Sequence, residues 1–209
     1  MLLVKDTKDR FGLVSVLLHW YIALTVLFLL LSGATINFVG VHGPLRPLRE
    51  SLAWWHMSFA ITAAPFILYR IYWRLHFGKP KTHTQHPFFQ FTADAVWRLL
   101  LLVVACQVIT GPSRQLTRPE PLLWFGHTVI APQAWMVADT NFLRRLHVYG
   151  AMTIAGLLVL HVGGALKHVI FNRDEVLRRM VWPFARKSEV ETGTRPAEEP
   201  VRAPAPASL

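Results

Sequence analysis

Charge is scarce in this chain and cysteine nearly absent. Asp, Glu, Lys and Arg make up 16% of its 209 residues, against roughly 25% in an ordinary soluble domain. Most of the chain is therefore not built to face water. The lone cysteine, Cys106, excludes a disulfide framework, and no CxxC or CxxCH pair is present to hold a cofactor through sulfur. Cys106 sits inside an apolar run and reads as a small buried hydrophobe. No GxSxG, P-loop or GxGxxG opening a βαβ unit occurs, so the common soluble hydrolase, nucleotide-binding and dinucleotide-binding sites are excluded. Acidic residues are few, 12 against 22 Lys and Arg, giving a net charge of +10. The basic residues bracket apolar runs instead of forming a stripe, which points to membrane topology and not to nucleic acid.

What is abundant is apolar sequence, 53% of the chain. It is concentrated in four runs, residues 14–36, 51–73, 93–110 and 146–171, each long enough to cross a bilayer. The first run is too long for a signal-peptide core and carries a histidine, so it reads as a retained helix. Between the third and fourth runs lies an apolar but proline-broken stretch around Trp124 and Phe125, expected to rest at the membrane interface. The fold expected is all-α, a four-transmembrane-helix bundle in one domain over residues 1–182. Residues 183–209, rich in Pro, Ala and Glu, are expected as a disordered tail. If the N-terminus is cytoplasmic, sixteen of the 22 basic residues fall at or near the inside. The positive-inside rule then puts both termini in the cytoplasm.

Four histidines lie within the runs. His19 opens the first, His56 opens the second, and His147 and His161 both lie in the fourth. The last two are fourteen residues apart, which brings them to nearly one helix face, about 21 Å apart along the axis. Alternating span direction gives His19 and His161 an inner depth, and His56 and His147 an outer one. A single intramembrane histidine is often a packing residue, but four in two matched layers argue for a shared ligand. Zinc or copper would call for histidines at i, i+4 or a carboxylate or cysteine beside them, and neither layer has these. Two imidazoles per layer on opposite helices suit the axial positions of a haem iron, and filling both favours electron transfer over oxygen binding.

At these residues the chain resembles a known family. LLHW at His19, WWHMSFA at His56 with LYRIYWR after it, and LHVYGA with LHVGGALKH are similar to the small bacterial di-haem cytochrome b561 family. LLWFGHTVIAP and VLRRM extend the likeness. The resemblance implies two non-covalent b haems ligated by His19, His56, His147 and His161. It also implies an inner-membrane location and electron exchange with ubiquinone. Some members resemble superoxide oxidases, which pass electrons from periplasmic superoxide to ubiquinone. The alternative it leaves open is a haem b anchor subunit of a hydrogenase or formate dehydrogenase, which works with a redox partner protein. The chain departs from the family pattern at Lys167-His168-Val169, with one histidine where two are usual, and in the basic, proline-rich GPSRQLTRPEP segment.

Further candidates follow from position. His168 lies a heptad past His161 on nearly the same face and is placed to meet a quinone carbonyl or a haem propionate. Arg114 and Arg118 form an expected anion-attracting patch, with Arg144 and Arg145 beside His147 as partners for propionates.

Overall fold

The structure is a computed structural model, and it describes residues 6–7, 10–39, 42–78, 87–116, 120–131, 140–172 and 180. Arg118 and the tail at 183–209 lie outside the described residues. Four long helices dominate: α1 (Leu13–Phe38), α2 (Arg46–Phe77), α3 (Pro87–Leu116) and α4 (Thr140–Lys167). A π-helical turn, His168–Asn172, continues α4. All four helices are long and apolar enough to cross a membrane. Their large apolar side chains point outward, among them Leu24, Leu31, Leu75, Leu102, Met152 and Val159. Several of the most buried side chains are polar instead: Ser15, Ser32, Ser58, Arg74 and Thr110. In water that distribution would leave only a small core, built around residues such as Ala63, Ile67, Trp73 and Ile154. In hydrocarbon it is what a bundle needs, since polar groups there must find partners inside the protein.

α1 packs along α2 and α3 along α4, whereas α4 makes little backbone contact with α1 or α2. Two tight helix pairs thus stand on either side of a slot. We call the bundle end carrying the N-terminus proximal and the other distal.

Proline does not end two of these helices. Pro65 lies inside α2 and Pro112 inside α3. A proline removes one helical donor, and near Pro112 the Ser113 hydroxyl donates to the Ile109 carbonyl at 2.8 Å. The apolar run counted to Thr110 therefore understates α3, which continues to Leu116 and carries Arg114 on a helix. Cys106 is exposed on α3. The expectation of a buried thiol fails because the apolar surroundings of this face are lipid, not a protein core.

The Trp124 stretch forms a hairpin. β1 (Leu122–Trp124) and β2 (His127–Ile130) pair antiparallel about the Phe125–Gly126 turn. Both turn residues have positive φ, 46° and 85°, the conformation of the tight hairpin turn whose twist matches its strands. Phe125 holds this strained geometry because its N–H donates to Ser58 Oγ at 3.0 Å, and Trp124 Nε1 donates to Thr62 Oγ1 at 3.0 Å. The Phe125 ring meets Trp54, Trp55 and Phe59 edge-on. Thr62 is six residues beyond His56, about 9 Å deeper along α2. The Trp124 indole therefore reaches past the level of His56 along α2, whose hydroxyls satisfy polar groups that lipid cannot.

At the proximal end Asp6 ties the N-terminal segment to α2. Its Oδ1 accepts from Gly12 N–H at 2.7 Å, and its Oδ2 accepts from Ser15 Oγ at 2.7 Å and Trp73 Nε1 at 3.3 Å. Arg74 Nη1 closes an ion pair with Oδ2 at 3.1 Å, with side chains only 6% and 7% exposed. Removing one partner of a buried pair leaves the other without its counter-charge. Asp6→Ala is expected to cost about 3 kcal/mol, lowering Tm by roughly 6–12 °C for a chain of this size. A Tm within a degree or two of the parent protein in thermal melts would show that the pair contributes little.

Candidate functional site

The slot between the helix pairs is spanned by imidazoles. His19 on α1 faces His161 on α4 with ring centroids 6.1 Å apart, and His56 on α2 faces His147 on α4 at 6.4 Å. The first pair is proximal and the second distal. All four rings are half-buried. A metal–imidazole bond is about 2 Å long and the ring centroid lies about 1.1 Å behind its nitrogen, so two imidazoles on opposite sides of one ion would sit about 6.2 Å apart. Both observed separations match that spacing. Among the described residues no three His, Cys, Asp or Glu side chains converge, so each layer offers two imidazoles and no further ligand.

The distal pair is held the same way on both sides. Ser32 Oγ lies 2.9 Å from His56 Nδ1, and its own proton goes to the Phe28 carbonyl at 2.7 Å. A hydroxyl has one proton to give, so toward His56 it accepts and Nδ1 carries the hydrogen. Thr110 Oγ1 repeats this. It donates to Gln107 Oε1 at 3.0 Å and lies 3.1 Å from His147 Nδ1, while Gln107 Nε2 donates to the His147 carbonyl at 2.9 Å. In both rings the lone pair is left on Nε2. Fixing the tautomer through the far nitrogen is the usual support for a metal-bound histidine.

The residue after each hydroxyl is glycine, and here its size matters. A Cβ on Gly33 would stand 3.2 Å from His56 Cε1, and one on Gly111 would stand 3.3 Å from His147 Cε1. The dipeptides Ser32-Gly33 and Thr110-Gly111 are thus equivalent seats, one on α1 and one on α3. Gly150 makes room on the other side of His147. A Cβ there would meet Gln107 Oε1 at 2.9 Å, so it admits the glutamine that supports His147. Gly163 and Gly164 have nothing within 4 Å of a built Cβ and leave open space near His161.

The proximal pair differs. Among the described residues His19 Nδ1 meets no hydroxyl, and Arg70 Nη2 stands 3.3 Å from it. Arg70 Nη1 donates to the Ser15 carbonyl at 3.2 Å. Arg114 lies on α3 one turn past Thr110, so an arginine stands near each imidazole pair.

The other candidates scatter. Arg144 Nη1 reaches Asn37 Oδ1 at 3.4 Å on the exposed surface, and Arg145 is exposed on α4. His168 opens the π-turn, where the wider helix abandons the α-helical register for the residues that follow. The residues missed by sequence reasoning are Ser32, Thr110, Gln107 and Asp6. The first two had a visible signal, a hydroxyl–glycine dipeptide near the end of each odd-numbered span.

Four apolar helices with facing imidazoles between them put this chain among the multi-pass helical membrane cytochromes. The profile of the family described as prokaryotic cytochrome b561 matches residues 10–183, and the chain belongs to that family. It is also similar to "Cytochrome b561 homolog 2" of Escherichia coli (strain K12), with 26% identity over 178 residues, covering 84% of this chain and 93% of that protein. As a family member it is a membrane-embedded, b-type haem cytochrome of electron transport.

Proposed function

We propose that this cytochrome carries two b haems, one ligated by His19 and His161 and one by His56 and His147. The observation that carries the reading is the pair of centroid separations, 6.1 and 6.4 Å, each the span of two imidazoles on one ion. When bound, the haems supply reversible one-electron chemistry at two depths. The chain's own residues do the rest. Ser32 and Thr110 hold the distal rings in the ligating tautomer, and Gly33 and Gly111 give those rings room. Neither histidine pair leaves an axial position for oxygen, which suits electron transfer.

The excess of basic residues at the proximal end supports cytoplasmic termini and, in a bacterium, an inner-membrane location. The distal pair then faces the periplasm, and electrons enter there. Superoxide is the donor we favour, because Arg114 places positive charge beside the distal rings. Each superoxide gives up one electron and leaves as dioxygen. Ubiquinone takes two electrons and two protons to become quinol on the proximal side, where His168 is a candidate contact. Pyridine haemochrome assay of the purified protein is expected to give two haems per chain, all extractable by acid acetone since no CxxCH exists. One haem per chain, or haem that resists extraction, would overturn the reading.

A further inference from the structure

The two layers are built on one plan with a single exchange. His147 and His161 are fourteen residues apart on α4, and fourteen residues after His56 on α2 comes Arg70. Arg70 thus holds on α2 the helical position that a histidine holds on α4, and its guanidinium reaches the proximal layer at His19 Nδ1. Nothing in the distal layer corresponds to that contact, since hydroxyls serve both rings there.

The contact at His19 is incompatible with a filled site. A guanidinium has donors and no acceptor, so Arg70 Nη2 can bond Nδ1 only while that nitrogen presents its lone pair. In a neutral imidazole the proton is then on Nε2, which cannot ligate. For His19 to bind metal through Nε2, the proton must move to Nδ1, and Arg70 Nη2 loses its acceptor. Its other arm stays on the Ser15 carbonyl, which holds the guanidinium at this depth. The nearby carboxylate is Asp6, already taken by Arg74, Ser15, Gly12 and Trp73. The acceptors that arrive when the site fills are the two carboxylates of the haem itself. Arginine binds carboxylates through charge-assisted, often two-pronged hydrogen bonds, and these strengthen away from water.

We propose that Arg70 is the carboxylate receptor of the proximal haem. It occupies a ligand-equivalent position, gives up His19 Nδ1 when iron binds, and turns to a propionate. Asp6 is a positioning residue in this arrangement. By holding Ser15 and Arg74 it fixes the carbonyl that anchors Arg70 and supplies Arg74 with a partner of its own. The proposal rests on the two-haem reading above.

The test uses purified holoprotein with its native haems. Excess apomyoglobin strips haem from the parent protein, Arg70→Gln and Arg70→Lys, while the two spectral components are followed separately. Arg70→Gln is expected to lose the proximal component at least tenfold faster than the parent, with the distal component unchanged. Arg70→Lys, which keeps a positive donor, is expected to restore most of the retention. Redox-induced infrared difference spectra give a readout that loosened packing alone would not: one pair of haem carboxylate stretches should shift in Arg70→Gln and return toward the parent position in Arg70→Lys. Equal stripping rates with unmoved carboxylate bands would overturn the assignment. Faster loss of both components together would also overturn it, by marking Arg70 as a general packing residue. Failure of the underlying reading would look different. The parent protein itself would then show one component, or both components would survive His19→Ala and His161→Ala.

Discussion

Two alanine substitutions on α4, at His147 and His161, are expected to remove different haems, while substitutions at facing histidines on different helices remove the same one. His147→Ala should abolish the distal haem and leave the proximal, and His161→Ala should do the reverse. His56→Ala should reproduce the first result and His19→Ala the second. The expectation follows from the ring separations, 6.1 Å for His19 with His161 and 6.4 Å for His56 with His147. It also follows from the fourteen-residue interval on α4, which sets the layers about 21 Å apart along the axis.

On the proposed two-haem reading the loss should be whole, from two haems to one, because each iron would depend on two imidazoles and no third ligand converges on either layer among the described residues. The surviving haem is expected to bind less firmly than in the parent protein. An emptied site leaves a cavity, and cavities left by large groups destabilise their surroundings by several kcal/mol. That penalty is shared through α4, which supplies a ligand to both layers. Haem content with redox titration of the remaining component checks the outcome. If His56→Ala and His147→Ala remove different components, the pairing is wrong even though the rings face each other.

Much of this site was legible before any coordinates, and for a physical reason. Membrane helices rise a fixed distance per residue and alternate in direction, so position in a span converts directly to depth. That arithmetic sorted His19, His56, His147 and His161 into the pairs now seen across the slot. It carries nothing about side-chain protons. The tautomer of His56 depends on where the Ser32 proton goes, and that is decided by the Phe28 carbonyl at 2.7 Å, a contact within the helix that no periodicity reports. The hairpin was illegible for another reason. Strands of three and four residues are too short to show alternation, and a turn of Phe125 and Gly126 lacks the Asn-Gly or Asp-Gly signal. The hairpin's depth comes from Ser58 and Thr62, two polar residues that otherwise read as interruptions in an apolar span. Asp6 escaped notice because its partners, Trp73 and Arg74, lie more than sixty residues away in sequence.

The helical placement of Arg114 gives the last prediction its force. A segment read as loop from Gly111 onward would let its arginines wander. With α3 continuing to Leu116, Arg114 is fixed one turn past Thr110, the seat of His147. With the termini cytoplasmic as proposed, Arg114 lies on the periplasmic side, where the positive-inside rule disfavours arginine, so topology does not account for it. A small anion arriving by diffusion would gain from it, since local charge of this kind raises association rates by about 10 to 10³-fold and fades as salt rises. Superoxide generated steadily beside the purified cytochrome, with ubiquinone as acceptor and no other protein, is expected to reduce the haems rapidly. Arg114→Ala is expected to slow that reduction about tenfold at low ionic strength, and the gap should narrow in high salt. A protein donor would respond to charge as well, so salt dependence alone does not separate the two. The absence of any partner from the mixture does. Reduction no faster than in a haem-free control would withdraw superoxide as the donor, and would turn the assignment to a relay fed by a catalytic subunit docked at the same distal face.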